Sequence, residues 1–92
     1  MTEYRLFATD QFAADLAAIA GDRRPEVERR LARVVWPELR RRPRSGPRVR
    51  RLRGSQPETW RYRIGSWRLF YEIEEEGRIV CLLAAVHRAS AH

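Results

Sequence analysis

The stretch Trp60–Ile73, WRYRIGSWRLFYEI, concentrates the side chains with the most chemical potential, interleaving Arg61, Arg63 and Arg68 with aromatic residues. Gly65 and Ser66 read as a two-residue hairpin turn of the glycine-first kind, which fixes the pairing on either side. Ile64 then faces Trp67, Tyr62 faces Leu69 and Trp60 faces Tyr71, all on one apolar face. Arg63 faces Arg68 and Arg61 faces Phe70 on the other face, which is therefore the exposed one. Arg61 and Arg63 stand about 6.5 to 7 Å apart along the strand, with Arg68 directly across from Arg63. Like charges opposed in a sheet are destabilising, and a local rule broken against stability marks a candidate functional site. Planar guanidinium forks around Phe70 suit a phosphate oxyanion beside a base that stacks. The competing arrangement pairs each arginine with Glu58, Glu72 or Glu74, or lays it over Phe70.

The hairpin needs a scaffold, and the rest of the chain supplies one. Glu3–Thr9 alternates Tyr4, Leu6 and Ala8 against Glu3, Arg5 and Phe7, which predicts a short strand. Thr9 or Asp10 caps a helix whose apolar face is Phe12, Leu16 and Ile19 with Ala13, Ala17 and Ala20, and Gly21 ends it. Pro25 opens a second helix with Val27, Leu31, Val34 and Val35 inward and Arg29, Arg30 and Arg33 outward, before Pro37 kinks or interrupts it. Arg40–Arg48 reads as a basic loop. Strands follow at Val49–Arg53, Trp60–Ile64 and Trp67–Glu74. Arg78–His87 is apolar at nearly every position and predicts a central strand. The architecture is α+β: an N-terminal strand, two helices, then an antiparallel meander, with the helices on one face of a sheet of four or five strands.

Composition narrows the function. A chain of 92 residues, 43% hydrophobic, suits one compact domain spanning 1–92. No apolar run approaches the ~20 residues of a membrane helix, and the N-terminus lacks the order of a secretion signal, so a cytoplasmic location is expected. Cys81, the single cysteine, lies within IVCLLAAV, where a buried, inert thiol is expected and no multi-cysteine metal site is possible. All 19 basic residues are arginine, against 12 acids, for a net charge of +7. Thirteen of those arginines, against three glutamates, fall between Arg23 and Arg53. Such a block attracts a polyanion, foremost nucleic acid, although part of it must be a solvated helix face.

Both histidines, His87 and His92, lie at the end of the chain, with Arg88 next to the first. Imidazole titrates near neutrality, so either is a candidate acid or base. Whether His87 or Arg88 shares the face of Arg61 and Arg63 depends on how EEEGR closes the last hairpin, and two- and three-residue turns are both open.

The order RRLRG, then WRYRIGSWRLFYEI, an acidic turn, an apolar strand and VHRASAH resembles the RelE/ParE superfamily of bacterial type II toxins over essentially the whole chain. RelE-type members are mRNA interferases that cut message in the ribosomal A site and are silenced by a bound antitoxin. The resemblance implies basic catalytic positions at Arg61 and Arg63, a phosphate-binding arginine at Arg68 and another at Arg88. His92 falls where the family usually has tyrosine, and arginines stand where it often has lysines. Arg44, Arg48, Arg50, Arg51, Arg53 and Phe70 are the expected RNA contacts. The implied partners are message, ribosome and an acidic antitoxin that also forms an operator-binding complex; neither metal nor cofactor is implied.

Cleavage by the RNA 2'-hydroxyl needs a proton acceptor, stabilisation of charge on phosphorus and a proton donor for the leaving 5'-oxygen. Arginine serves the second need, but its pKa above ~12 unsuits it for the first. The proton carriers are then His87, His92, Tyr71 or a glutamate, or placement on the ribosome supplies most of the rate. The alternative is a ParE-like protein that poisons DNA gyrase without a hydrolytic centre. A third reading is a degenerate relative that only binds antitoxin or operator DNA.

Overall fold

The structure, a computed structural model, describes residues 3–87, apart from the side chains of residues 19 and 20. Strand β1 (Arg5–Ala8) leads into helix α1 (Asp10–Ala20), whose first turn is capped by the Thr9 hydroxyl accepting from the Phe12 N–H at 3.1 Å. Gly21, with φ 51°, ends α1 in a backbone conformation that favours glycine. The apolar face of α1 is carried by Phe12, buried, and Leu16, packed against the core; the expected contributions of Ile19 and Ala20 lie outside the described side chains.

The second helical stretch differs from expectation at Pro37. Helix α2 (Arg24–Arg30) runs through a π-helical segment, Leu31–Val35, into α3 (Trp36–Arg41) without leaving right-handed helical angles. Proline lacks an N–H and its ring crowds the carbonyl four residues back. The wider π turn, in which the Trp36 N–H reaches the Leu31 carbonyl, passes the chain over that obstacle. Arg40 and Arg41 are consequently helical rather than part of a basic loop.

The sheet follows in the order β1-β5-β4-β3-β2, with β2 (Val49–Arg51), β3 (Trp60–Ile64), β4 (Trp67–Glu74) and β5 (Ile79–His87) forming the meander. β1 pairs in parallel with β5, so the sheet is mixed and β5 is interior, as its apolar run predicts. Three strands are shorter than expected, β5 only by Arg78, which has φ 55° in the turn before it. β1 starts late because the Tyr4 N–H bonds the Arg40 carbonyl instead of a strand, and β2 ends at Arg51, before the turn where Gly54 has φ 74°. All helices cover one sheet face, burying Leu31, Val35 and Leu39 against Tyr62, Leu69, Tyr71 and Val80.

One irregularity decides the geometry of β5. Glu74 pairs with Ile79 and Tyr71 with Leu82, but Phe70 pairs with Ala84, so Leu83 is the extra residue of a bulge. The start of α1 clamps it: the Thr9 N–H and hydroxyl donate to the Leu82 and Leu83 carbonyls at 3.0 and 3.1 Å. The Asp15 carboxylate accepts from the Ala85 N–H at 3.0 Å. The bulge restores burial to Leu82 and Ala85, both against the core.

Candidate nucleic-acid interface

The hairpin pairs as its turn predicts: Arg63 opposes Arg68, Arg61 opposes Phe70, and Tyr62 opposes Leu69. Gly65 holds φ 57° in the turn. β2 adds a fourth guanidinium to the open face, because Arg50 stands directly opposite Arg61. Cross-strand Cβ atoms lie about 4.5 to 5.5 Å apart, so the four arginines form one cluster around Phe70, which is half-buried.

Arg61 sits at the centre. Its Nε is buried with no hydrogen-bond partner among the described residues. Burial, then the charges of Arg50, Arg68 and Arg63, push its pKa down. A buried donor left unmatched amid like charges is a cost that an oxyanion relieves, by accepting the hydrogen bond and neutralising the repulsion. Among the described residues none of Arg50, Arg61, Arg63 and Arg68 is in an ion pair, so the competing pairing with Glu58, Glu72 or Glu74 is not found in the cluster. Glu58 instead pairs with Arg51 at 3.3 Å, and Glu74 accepts from the Gly77 N–H at 3.0 Å.

Several expected site residues lie elsewhere. His87 opposes Trp67, which puts it on the helix-covered side, where its ring meets Trp67 edge-on at 5.7 Å. The bulge at Leu83 is the cause: continuing the register of Tyr71 and Leu82 unbroken carries position 87 to the arginine side. Tyr71 is buried, its hydroxyl donates to the Pro43 carbonyl at 2.6 Å, and desolvation raises its pKa far above neutrality, so it is no proton carrier.

Among the expected RNA contacts, Arg51 alternates onto the opposite side from Arg50. Arg44 is bound into the far end of the sheet, donating to Glu75 at 2.7 Å and to the Tyr4 hydroxyl at 3.1 Å. Arg48 reaches Glu38 at 3.5 Å, beside the buried Tyr62 hydroxyl that donates to the same carboxylate. Arg53 is exposed in the turn after β2. Arg88 and His92 lie outside the described residues. The basic block is likewise divided: Arg29, Arg30, Arg33, Arg40 and Arg41 are exposed on the helix layer, whereas Arg50 stands on the open face of the sheet. Arg50, readable in sequence only as one arginine of a run, gains its place from the β2–β3 register.

A model of the ParE toxin of type II toxin–antitoxin systems matches residues 6–92. The chain belongs to this family. Among solved structures, the toxin–antitoxin complex RelBE2 of Mycobacterium tuberculosis is similar at TM-score 0.77 and 27% identity, over 97% of this chain and 95% of that one. An archaeal RelE–RelB complex from Pyrococcus horikoshii shares the fold at TM-score 0.67 and 22% identity, over 99% of this chain and 100% of that one. The free state of a mutant of the toxin RelE from E. coli shares it at 0.66 and 19%, over 99% and 88%. No curated relative matches the chain. The chain is thus a type II toxin of the RelE/ParE superfamily. Among its described residues no helix is long and apolar enough to cross a membrane.

Proposed function

We propose that this toxin is a ribosome-dependent mRNA endoribonuclease that cuts by attack of the RNA 2'-hydroxyl and is neutralised by a cognate acidic antitoxin in the cytoplasm. The observation that carries the reading is the four-arginine cluster around Phe70, with the unmatched Arg61 Nε at its centre. Arg61, Arg63 and Arg68 hold one message phosphate and stabilise the charge that grows on its oxygens, while a base stacks on Phe70. Arg50 neutralises the neighbouring phosphate. By the resemblance, Arg88 is assigned to the same phosphate and His92 to protonation of the leaving 5'-oxygen. The arginines of the helix layer hold structured RNA by its phosphates, so that the ribosome, rather than the toxin alone, aligns the message.

The ParE family model favours a second reading, inhibition of DNA gyrase without nuclease activity. One experiment separates the two. Message 5' ends are mapped after adding purified toxin with and without translating ribosomes, beside a gyrase cleavage assay. Cuts that require ribosomes support the nuclease; accumulation of gyrase-cleaved DNA with intact message supports the alternative.

A further inference from the structure

On the open face of β4, Arg68, Phe70 and Glu72 follow one another at alternate positions, each about 6.5 to 7 Å from the next. The first two belong to the arginine cluster. Glu72 is a half-buried carboxylate at the border of a face that gathers four guanidinium groups. Among the described residues it is in no ion pair and no side-chain hydrogen bond. Arg61 stands diagonal to it across the ladder, within reach, yet the Arg61 Nε stays unmatched. The charge of Glu72 acts instead on Cys81, its partner on β5, whose thiol pKa is raised by burial and then by that charge. The carboxylate is thus turned from the phosphate side of Phe70 towards β5. Glu74, the next outward position, is occupied at the far turn by the Gly77 N–H at 3.0 Å.

We infer that Glu72 reads the base stacked on Phe70 and selects guanine, its two carboxylate oxygens accepting the N1–H and N2–H of the Watson–Crick edge. The inference rests on the reading that the arginine cluster holds an RNA phosphate, and adds to it the identity of the adjoining base. Single-stranded RNA is recognised by splaying a base onto an aromatic ring and hydrogen-bonding its edge. β4 sets out the parts for one nucleotide in order: a guanidinium for the phosphate, a ring for the base and a carboxylate for the far edge. An ionised carboxylate can only accept hydrogen bonds. Guanine alone among the four RNA bases presents two adjacent donors on that edge. Adenine and cytosine set one amino group beside a ring nitrogen that accepts, and uracil sets one N–H between two carbonyls. Each of those acceptors would meet the lone pairs of Glu72 and leave it poorly matched. A carboxylate near bound phosphate also repels it, which weakens every sequence unless the base compensates. The same charge therefore favours one base and penalises the other three.

The test measures binding of the full chain to fluorescein-labelled 2'-O-methyl RNA hexamers, which cannot be cut, by fluorescence anisotropy. The hexamers are oligouridine with guanine, inosine, adenine or uracil at the third position; inosine keeps the N1–H of guanine and lacks its 2-amino group. The guanine hexamer is expected to bind roughly tenfold more tightly than the adenine and uracil hexamers, with inosine between. Glu72→Gln and Glu72→Ala should remove most of that preference while the uracil hexamer binds at least as tightly as to the wild type. Arg61→Ala should weaken all four alike. Equal binding of the four hexamers by the wild type, at an affinity that still falls with salt, overturns the inference and leaves the phosphate site standing. A guanine preference that survives in both Glu72 variants overturns it too. No binding of any hexamer removes the phosphate site and this inference with it. Failure of ribosome-dependent cleavage in its own assay leaves the base preference untouched, because nothing here depends on cutting.

Discussion

Arg63 of β3 and Arg68 of β4 are directly opposed across the hairpin ladder, so that two guanidinium groups share one cross-strand position. Opposed like charges oppose folding by a few tenths to about 1 kcal/mol. Relief of that repulsion and loss of function therefore go together. Arg63→Thr, at an exposed strand position, is expected to raise stability by about 0.2 to 1 kcal/mol in chemical denaturation. The same change is expected to slow ribosome-dependent cleavage about 10-fold to 1,000-fold. A variant that is destabilised and fully active would give the pair a structural role instead.

The salt dependence of RNA binding separates the cluster from arginines that serve the fold. Each phosphate neutralised on a single strand contributes about 0.7 to the slope of log affinity against log salt. Arg61→Ala is expected to reduce that slope by about this amount. Arg44→Ala is expected to leave it unchanged, because Arg44 is engaged by Glu75 and the Tyr4 hydroxyl. Filter binding or fluorescence anisotropy at several salt concentrations measures both. Equal slopes for the two variants would remove Arg61 from the phosphate site.

Glu75 ties three parts of the chain together. It accepts from the Tyr4 hydroxyl at 2.7 Å, from Arg44 at 2.7 Å and from Arg78 at 3.0 Å, while Arg78 lies over the Tyr4 ring. The Tyr4 hydrogen bond, then the one from Arg44, hold its carboxyl below the ordinary carboxylate range. A carboxyl with a lowered folded pKa contributes stability that is complete above its unfolded value of about 4.3. That contribution is lost as pH falls through the lowered folded value. The melting temperatures of the wild type and Glu75→Gln should therefore differ most at neutral pH and converge as pH falls from about 5 towards about 3. A gap that stays constant with pH would mean that the ionised form makes no difference.

The hairpin was legible because a two-residue turn leaves one register, and the alternation of WRYRI and RLFYE assigns every side chain to a face. Local signals also reveal the Thr9 cap and the Gly21 stop. The β4–β5 register was not legible, because the bulge at Leu83 is held by Thr9 and Asp15, some 70 residues away along the chain. The passage of the helix through Pro37 depends on a π turn whose residues carry no distinguishing pattern. Arg44 looked like part of a nucleic-acid block because sequence does not show that the loop after α3 meets the acidic turn between β4 and β5.

Tyr71 illustrates the difference between a suggestive residue type and a placed one. Its hydroxyl, buried against the Pro43 carbonyl, anchors the loop that follows α3 to the sheet. Tyr71→Phe leaves that carbonyl without its donor, which is expected to cost about 1 to 3 kcal/mol in urea denaturation. The cleavage rate of the folded variant should be unchanged. Reduced cleavage at full folding would return Tyr71 to the reaction.

The remaining burden of proton transfer divides the two histidines. His87 faces Trp67 on the helix side, separated by the sheet from Arg61, Arg63 and Arg68, and a proton cannot pass between its imidazole and a phosphate held by those arginines. His92 lies five residues further along the chain, with Arg88 between them. If His92 protonates the leaving oxygen, a chain ending at Ala91 loses the limb of the pH–rate profile in the imidazole range of about 6 to 7. His87→Phe keeps the aromatic contact with Trp67 and should keep that limb. Measuring both profiles on programmed ribosomes decides the assignment. Retention of the limb in the truncated chain, together with its loss in His87→Phe, would require the β5 bulge to shift when the toxin binds its substrate.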